Sequence, residues 1–182
     1  LGKIDSAGAH LLSIINDVLD ISKIEAGKLV LESLDFHLSA VVDGVISLLG
    51  PQARAKGLSL TAQIKAEVCW LRGDPMRLRQ VLFNLASNAL KFTSVGSITI
   101  TVTDGRDAAG NGDKGVTRFE VRDTGIGIPA ERLSSVFHAY EQADATTTRE
   151  FGGTGLGLTI SQRLSALMGG DIGVESSPGQ GS

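Results

Sequence analysis

The sequence predicts an α+β fold in which a long bundle-type helix precedes helices interleaved with the strands of an antiparallel or mixed sheet. Three observations lead there. From Ile4 to Ile24 the apolar residues Ile4, Ala7, Leu11, Ile14, Val18 and Ile21 keep a heptad spacing. Leu12, Ile15 and Leu19 broaden it into a stripe wider than a two-stranded seam. Leu58 to Ile64 alternates apolar with polar residues, as a half-buried strand does, where an all-parallel sheet would show unbroken apolar runs. Around such segments, apolar residues recur at helical spacing.

Composition sets the bounds. The 182 residues suffice for one compact domain with an appendage, and 42% hydrophobic residues suffice for a core. No apolar run approaches the length of a bilayer span, and no basic stretch followed by an apolar one marks a secretory signal; the chain is expected to begin inside a longer protein at Leu1. The net charge of −3, with acids and bases interspersed, excludes the basic footprint of a nucleic-acid binder. Cys69, the single cysteine, cannot form an internal disulfide, and between Val68 and Trp70 it reads as a strand residue. The 23 glycines cluster at 105–115, 125–127, 152–157 and 169–181, which points to special backbone geometry there.

In chain order, Gly27 is the expected C-terminal cap of the first helix. Leu29 through Phe36 reads as a strand. Leu38, Val42, Val45 and Leu49 give a helix that closes at Gly57 with Pro51 as a kink, and Val68 to Leu71 is another alternating strand. Asp74-Pro75 pairs an N-cap carboxylate with a proline at the first helical position. The helix it starts has a core stripe of Leu78, Leu82, Leu85 and Ala89, and an adjacent face shared by Arg77, Asn84, Asn88 and Lys91. Asparagine is a mediocre helix former, so two of them mid-helix in line with a lysine mark either a solvated face or a binding one. Ser97 to Thr103 is a strand, 104–115 a surface loop, and a strand through Val116, Phe119 and Val121 ends at Asp123. A short helix around Glu131 to Phe137 leads into 143–150, which lacks apolar periodicity and is expected to be a lid or loop. The last helix carries Ile160, Leu164, Leu167 and Met168, Gly169-Gly170 ends it, and Asp171 to Glu175 is a further strand.

Three stretches carry chemistry. Asp123-Thr124-Gly125-Ile126-Gly127-Ile128-Pro129 ends a strand in a carboxylate and a backbone short of side chains, a ledge for a flat base. An ionised carboxylate only accepts hydrogen bonds, and adenine offers an amino donor where guanine has a carbonyl, so ATP is favoured over GTP. Gly152-Gly153-Thr154-Gly155-Leu156-Gly157 opens a helix whose N–H groups and dipole suit a phosphate, with a spacing that is neither the dinucleotide fingerprint nor the P-loop. On the asparagine face, Asn88 can supply a carboxamide oxygen to Mg²⁺, an ion that keeps much of its water and binds largely through nucleotide phosphates. Lys91 can place a point charge on those phosphates.

Together these stretches resemble the hybrid-type sensor histidine kinases. Gln80 to Thr93 is similar to their N box, Asp123 to Pro129 to their first glycine box, Val136-Phe137 with Tyr140-Glu141-Gln142 to their F box, and Gly152 to Leu158 to their second glycine box. Ser22 to Lys28 resembles the junction after their second dimerisation helix. The resemblance implies a two-layer α/β sandwich of the Bergerat type shared with gyrase and Hsp90, a mixed and mostly antiparallel sheet with helices on one face. It implies a division into 1–28, half of a dimerisation and phosphotransfer hairpin, and 29–182, the catalytic ATP-binding domain with its last strand truncated. The implied reaction moves the γ-phosphoryl of Mg-ATP to a histidine and then to an aspartate on a response-regulator receiver domain. The implied setting is a cytoplasmic domain of a homodimeric full-length protein, compatible with an inner-membrane anchor elsewhere in the parent.

Carried over by position, the resemblance has Asp123 bind the adenine amine while Gly125 and Gly127 shape the base pocket, with Ile128 and Tyr140 among the nucleotide contacts. Asn88 holds Mg²⁺, Asn84 supports the metal and its water, and Lys91 contacts phosphate, which Gly153, Thr154, Gly155, Leu156 and Gly157 cradle. Asn84, Lys91 and Arg149 form the catalytic set, Arg149 stabilising charge on the transferring phosphoryl. The phosphoacceptor motif, His-Glu or His-Asp followed by Arg and Pro, has no match: His10 precedes Leu11, His37 precedes Leu38 and His138 precedes Ala139. The acceptor is therefore expected upstream of Leu1. Tyr140 stands at a usual phenylalanine and His138 at a usual acid. Two other readings compete. An ATP-hydrolysing clamp of the same fold would carry a water-activating glutamate where this chain has Asn84, and a carboxamide is no general base at neutral pH. A nucleotide-sensing module without kinase activity is countered by the intact Asp123, Asn88 and glycine boxes.

Overall fold

The computed structural model describes residues 2–67, 69–106, 112–137 and 155–182. In chain order the elements are α1 (Gly2–Glu25), β1 (Leu34–His37), α2 (Leu38–Ala55), β2 (Ser59–Ile64), β3 (Trp70–Gly73), α3 (Pro75–Phe92), β4 (Ser97–Arg106), β5 (Gly112–Asp123), α4 (Ala130–Leu133) and α5 (Gly157–Leu167). They fall into two compact units, Leu1–Leu31 with Ser135–Ile172, and Glu32–Ser134 with Gly173–Ser182.

The larger unit is a two-layer α+β structure. β4 pairs in parallel with β2 and antiparallel with β5, giving the expected mixed sheet, while β1 and β3 form a separate antiparallel pair. β4 shows why one face is covered. Ile98, Ile100 and Val102 are fully buried in a core shared with Leu38, Val41, Val42, Val45, Leu49 and Ala53 of α2 and Leu82, Ala86, Ala89 and Leu90 of α3. The intervening threonines face the other way, Thr99 meeting Thr61 of β2 with hydroxyl oxygens 3.3 Å apart. Both long helices have side-chain caps. His37 Nδ1 accepts from Ser39 N at the start of α2. The buried Asp74 Oδ1 accepts from Met76 N and Arg77 N at 3.1 and 3.0 Å, with Pro75 behind it, and its Oδ2 accepts from Glu32 N at 3.1 Å.

Several boundaries differ from the sequence reading. The strand expected over 29–36 is confined to 34–37, because Glu32 N bonds the Asp74 carboxylate instead of a neighbouring strand and Val30 lies exposed. The second alternating strand begins at Trp70, with Val68 outside the described residues. The buried stripe of α3 is Leu82, Ala86, Ala89 and Leu90 with Leu78 partly covered; Leu85 is only half-buried and stands outside that cluster. The expected 104–115 loop is shorter, since β4 runs to Arg106 and β5 starts at Gly112, with a bulge between Asp104 and Arg106. Backbone pairing there continues beyond the apolar alternation because ladder bonds need no apolar side chains. Asp171 to Glu175 has no regular secondary structure and pairs with no strand among the described residues.

In the smaller unit α1 packs along α5, leaving a groove of about 310 Å³ lined by Val18, Ile21, Ser22, Ile24, Glu25, Thr159 and Arg163. α1 closes as expected at Gly27, with Lys28 N donating to Lys23 O and Gly27 N to Ile24 O. Leu12, Ile15, Val18 and Leu19 of its wide apolar stripe are exposed. Ile160 and Leu164 of α5 are fully buried, whereas Leu167 is largely exposed.

Candidate functional site

The site in the larger unit is built where the end of α3 meets the end of β5. α3 carries Asn84, Asn88 and Lys91, all half-buried, beside its apolar face. Among the described residues the Asn88 carboxamide makes no side-chain hydrogen bond. The Lys91 ammonium lies 4.8 Å from the centroid of the Phe92 ring, and burial lowers its pKa below the ordinary 10.5. Both effects follow from placing a cation on the inner flank of a helix that is itself packed on the sheet.

Asp123, the last residue of β5, is 8% exposed. Its Oδ1 accepts from Gly125 N at 2.8 Å, an Asx turn that fixes the carboxylate and leaves its second oxygen without a partner among the described residues. The turn is tied to α3 by Ile126 N donating to Phe92 O at 3.3 Å. A Cβ at Gly125 would collide with Phe92 O, and one at Gly127, where φ is +68°, would collide with Ser177 O. Glycine is required at both for these close approaches. Thus Asp123, Gly125, Gly127 and Ile128 form one turn, held against the Lys91 end of α3.

The segment 176–182 braces that turn, a role that sequence reasoning missed. Ile128 N donates to Ser176 Oγ at 2.7 Å, Gly179 N to Ile126 O at 2.7 Å, and Asp123 N to Ser182 O at 2.9 Å. Ser176 Oγ in turn donates to Gly181 O at 2.8 Å. A serine in a glycine-rich tail carries no signal that separates a brace from a loop. Thr93 was missed too: the C-cap residue of α3, it is fully buried beside Gly125.

The other expected site residues are distributed differently. Gly155, with φ of +69°, the buried Leu156 and Gly157 form the start of α5 in the smaller unit. Tyr140, Arg149, Gly153 and Thr154 lie outside the described residues, as does His138. His37 is a capping residue with its ring edge-on to Trp70. Among the described residues no group of three or more His, Cys, Asp or Glu side chains can hold a metal ion. A divalent cation here would draw a neutral amide oxygen from the chain and its remaining ligands from phosphate and water, and the uncommitted Asn88 amide fits that donor set. No helix among the described residues is long and apolar enough to cross a membrane.

Residues 73–182 match the model of the histidine kinase-, DNA gyrase B- and HSP90-like ATPases. The chain belongs to this family. Over 183 aligned residues it is 49% identical to the signal transduction histidine-protein kinase BarA of Escherichia coli (strain K12), covering all of this chain and 20% of that protein. It is 46% identical to the sensor protein GacS of Pseudomonas syringae pv. syringae, with the same coverage. The chain thus spans about a fifth of the length of these curated relatives. Among solved structures, full-length ShkA in complex with AMPPNP superposes with a TM-score of 0.83 at 36% identity, covering 97% of this chain and 35% of that one. Histidine kinase ThkA in complex with the response regulator TrrA gives 0.72 at 26% identity, covering 98% and 46%. The α+β fold, with its mixed sheet and helices, is that of the histidine kinase members of this ATPase family.

Proposed function

We propose that this chain is the ATP-binding catalytic region of a hybrid-type sensor histidine kinase, which transfers the γ-phosphoryl of Mg-ATP to a histidine on a dimerisation hairpin for relay to a response-regulator aspartate. The observation that carries the reading is Asp123, a nearly buried carboxylate with one oxygen fixed by Gly125 N and the other uncommitted, strapped to the end of the helix that bears Asn88 and Lys91. The names of the relatives, the AMPPNP complex of ShkA and the ThkA–TrrA complex support it.

In this reading the second Asp123 oxygen accepts from the exocyclic amine of adenine, and Gly125 and Gly127 let the flat base approach the turn. Asn88 holds Mg²⁺ through its carboxamide oxygen, and Asn84, one turn earlier, supports the metal's water shell. When bound, magnesium neutralises charge that builds on the phosphates. Lys91, whose pKa is lowered by burial, places its charge on the phosphates of the bound nucleotide. Arg149 and the 153–157 stretch are given the phosphate-contacting roles that the resemblance implies, where positioning and electrostatics supply most of the rate. Asn84 cannot activate water as a base, which favours transfer over hydrolysis. Residues 1–28 are assigned to the hairpin and 29–182 to the catalytic domain, in a parent protein that is a homodimer with this region in the cytoplasm.

The test is phosphotransfer from γ-labelled ATP to a separately supplied histidine-bearing hairpin. Label should reach the hairpin only when this chain and magnesium are both present, and should be acid-labile, as a phosphohistidine is. Bound ATP with no labelled hairpin, or stable label on this chain alone, would contradict the kinase assignment.

A further inference from the structure

The last turn of α3 ends in carbonyls that the helix itself cannot satisfy, and two of them take partners distant in sequence. Lys56 Nζ donates to Leu90 O at 2.8 Å, across 34 positions. On the other side Ile126 N donates to Phe92 O at 3.3 Å. Lys91 stands between these two carbonyls, so the backbone that carries it is held from both ends. Lys56 is the C-cap residue of α2, where its N–H donates to Gln52 O and Ala53 O, each at 3.1 Å. That cap uses only the main chain of Lys56; the side chain serves α3. An ammonium suits the place, because it bonds an orphan carbonyl and complements the negative end of the helix dipole at once.

We infer that Lys56 is a positioning residue for the nucleotide phosphates: by fixing Leu90 O it sets the last turn of α3, and with it the direction from which the Lys91 ammonium reaches a triphosphate. This rests on the ATP-binding reading above and adds to it a residue that touches no nucleotide. Lys91 carries its charge at the end of a flexible four-carbon stem, so a backbone shift at its root displaces the charge, and misplaced charge contributes less at a bound phosphate.

The test has two arms on the 182-residue chain. Without nucleotide, hydrogen exchange is followed at the Thr93 N–H, which donates to Ala89 O and closes the same turn. It should quicken about tenfold in Lys56→Met and stay near wild type in Lys56→Arg, which keeps a cation on Leu90 O. With nucleotide, calorimetric titration of wild type, Lys56→Met, Lys91→Met and the double variant with Mg-ATP forms a double-mutant cycle. Lys56→Met should weaken binding about three- to fivefold alone and less than about 1.5-fold in the Lys91→Met background, where the turn carries no charge to aim. Additive losses would mean that Lys56 acts by its own charge or through the fold at large, and unchanged Thr93 exchange would mean that it does not hold the turn; either overturns the inference alone. Wild type that fails to bind Mg-ATP overturns the nucleotide reading and this inference with it, and the exchange arm tells that failure from a failure of Lys56 to hold α3.

Discussion

α2 and α3 are both 18 residues long, pack against each other on one sheet and begin on side-chain caps, yet their sequences serve different ends. α2 buries Leu38, Val41, Val42, Val45, Leu49 and Ala53, and packing accounts for its apolar face. α3 buries Val81, Leu82, Ala86, Ala89 and Leu90, and beside them holds Asn84, Asn88 and Lys91 half-buried, the two asparagines where alanine or leucine would make a better helix. α2 has weak helix formers too, Gly44, Gly50 and Pro51, but only α3 aligns half-buried amide and ammonium groups on one flank, and such a flank carries something besides the fold. The asparagines and the lysine are that flank.

The largest effect separating the two helices comes from Leu49→Ala in α2. Leu49 is 1% exposed, and a cavity there should cost about 2–5 kcal/mol in denaturant unfolding while the folded protein keeps its ATP affinity. Asn88→Ala in α3 should do the reverse: unfolding within about 0.5 kcal/mol of wild type, and magnesium-dependent ATP affinity lower by about 10- to 100-fold. A large loss of stability from Asn88→Ala would assign that residue to the fold and dissolve the contrast between the helices.

Asp74→Ala should destabilise by about 1–2 kcal/mol, since two N–H groups at the start of α3 and Glu32 N lose their acceptor. Circular dichroism should show the loss in the apoprotein, and ATP should restore part of it if the far end of α3 binds nucleotide. Lys91 gives the smallest and most specific effect. Its folded pKa lies below 10.5, so at neutral pH the penalty for burying its charge is fully present; as pH rises from the lowered value towards 10.5 the folded form sheds its proton first, and stability rises. Thermal melts of wild type and Lys91→Met should therefore differ in pH dependence, wild type gaining stability relative to the variant as pH rises from the lowered value towards 10.5. Bound ATP should raise the Lys91 pKa, which ammonium NMR can follow.

Much of this was legible in the sequence because it was written in periodicities and caps. Asp74-Pro75 announced the start of α3, Gly57 the end of α2, and the alternation at 58–64 a strand, although only Leu60 of β2 is partly covered, since each is a local rule acting on neighbouring residues. The ledge was legible as well: Asp123 and its glycines form the turn their order suggested. What escaped depended on contacts distant in sequence. Ser176 braces Ile128 across 48 positions, and Glu32 N takes Asp74 across 42, which removed the strand expected at 29–33. The β4–β5 pairing past Asp104 was hidden because the sequence there has no apolar alternation to mark a strand.

The central claim is that Asp123 recognises an adenine amine, and the most direct measurement is a calorimetric comparison of ATP and GTP on wild type and Asp123→Asn. The amide oxygen of asparagine can still accept from Gly125 N, so the turn is kept, while the other position changes from acceptor to donor. Wild type should bind ATP well and GTP weakly, and Asp123→Asn should lose ATP affinity about 100-fold or more while its relative preference moves towards the 6-oxo base. An Asp123→Asn variant that binds ATP as tightly as wild type would contradict the account.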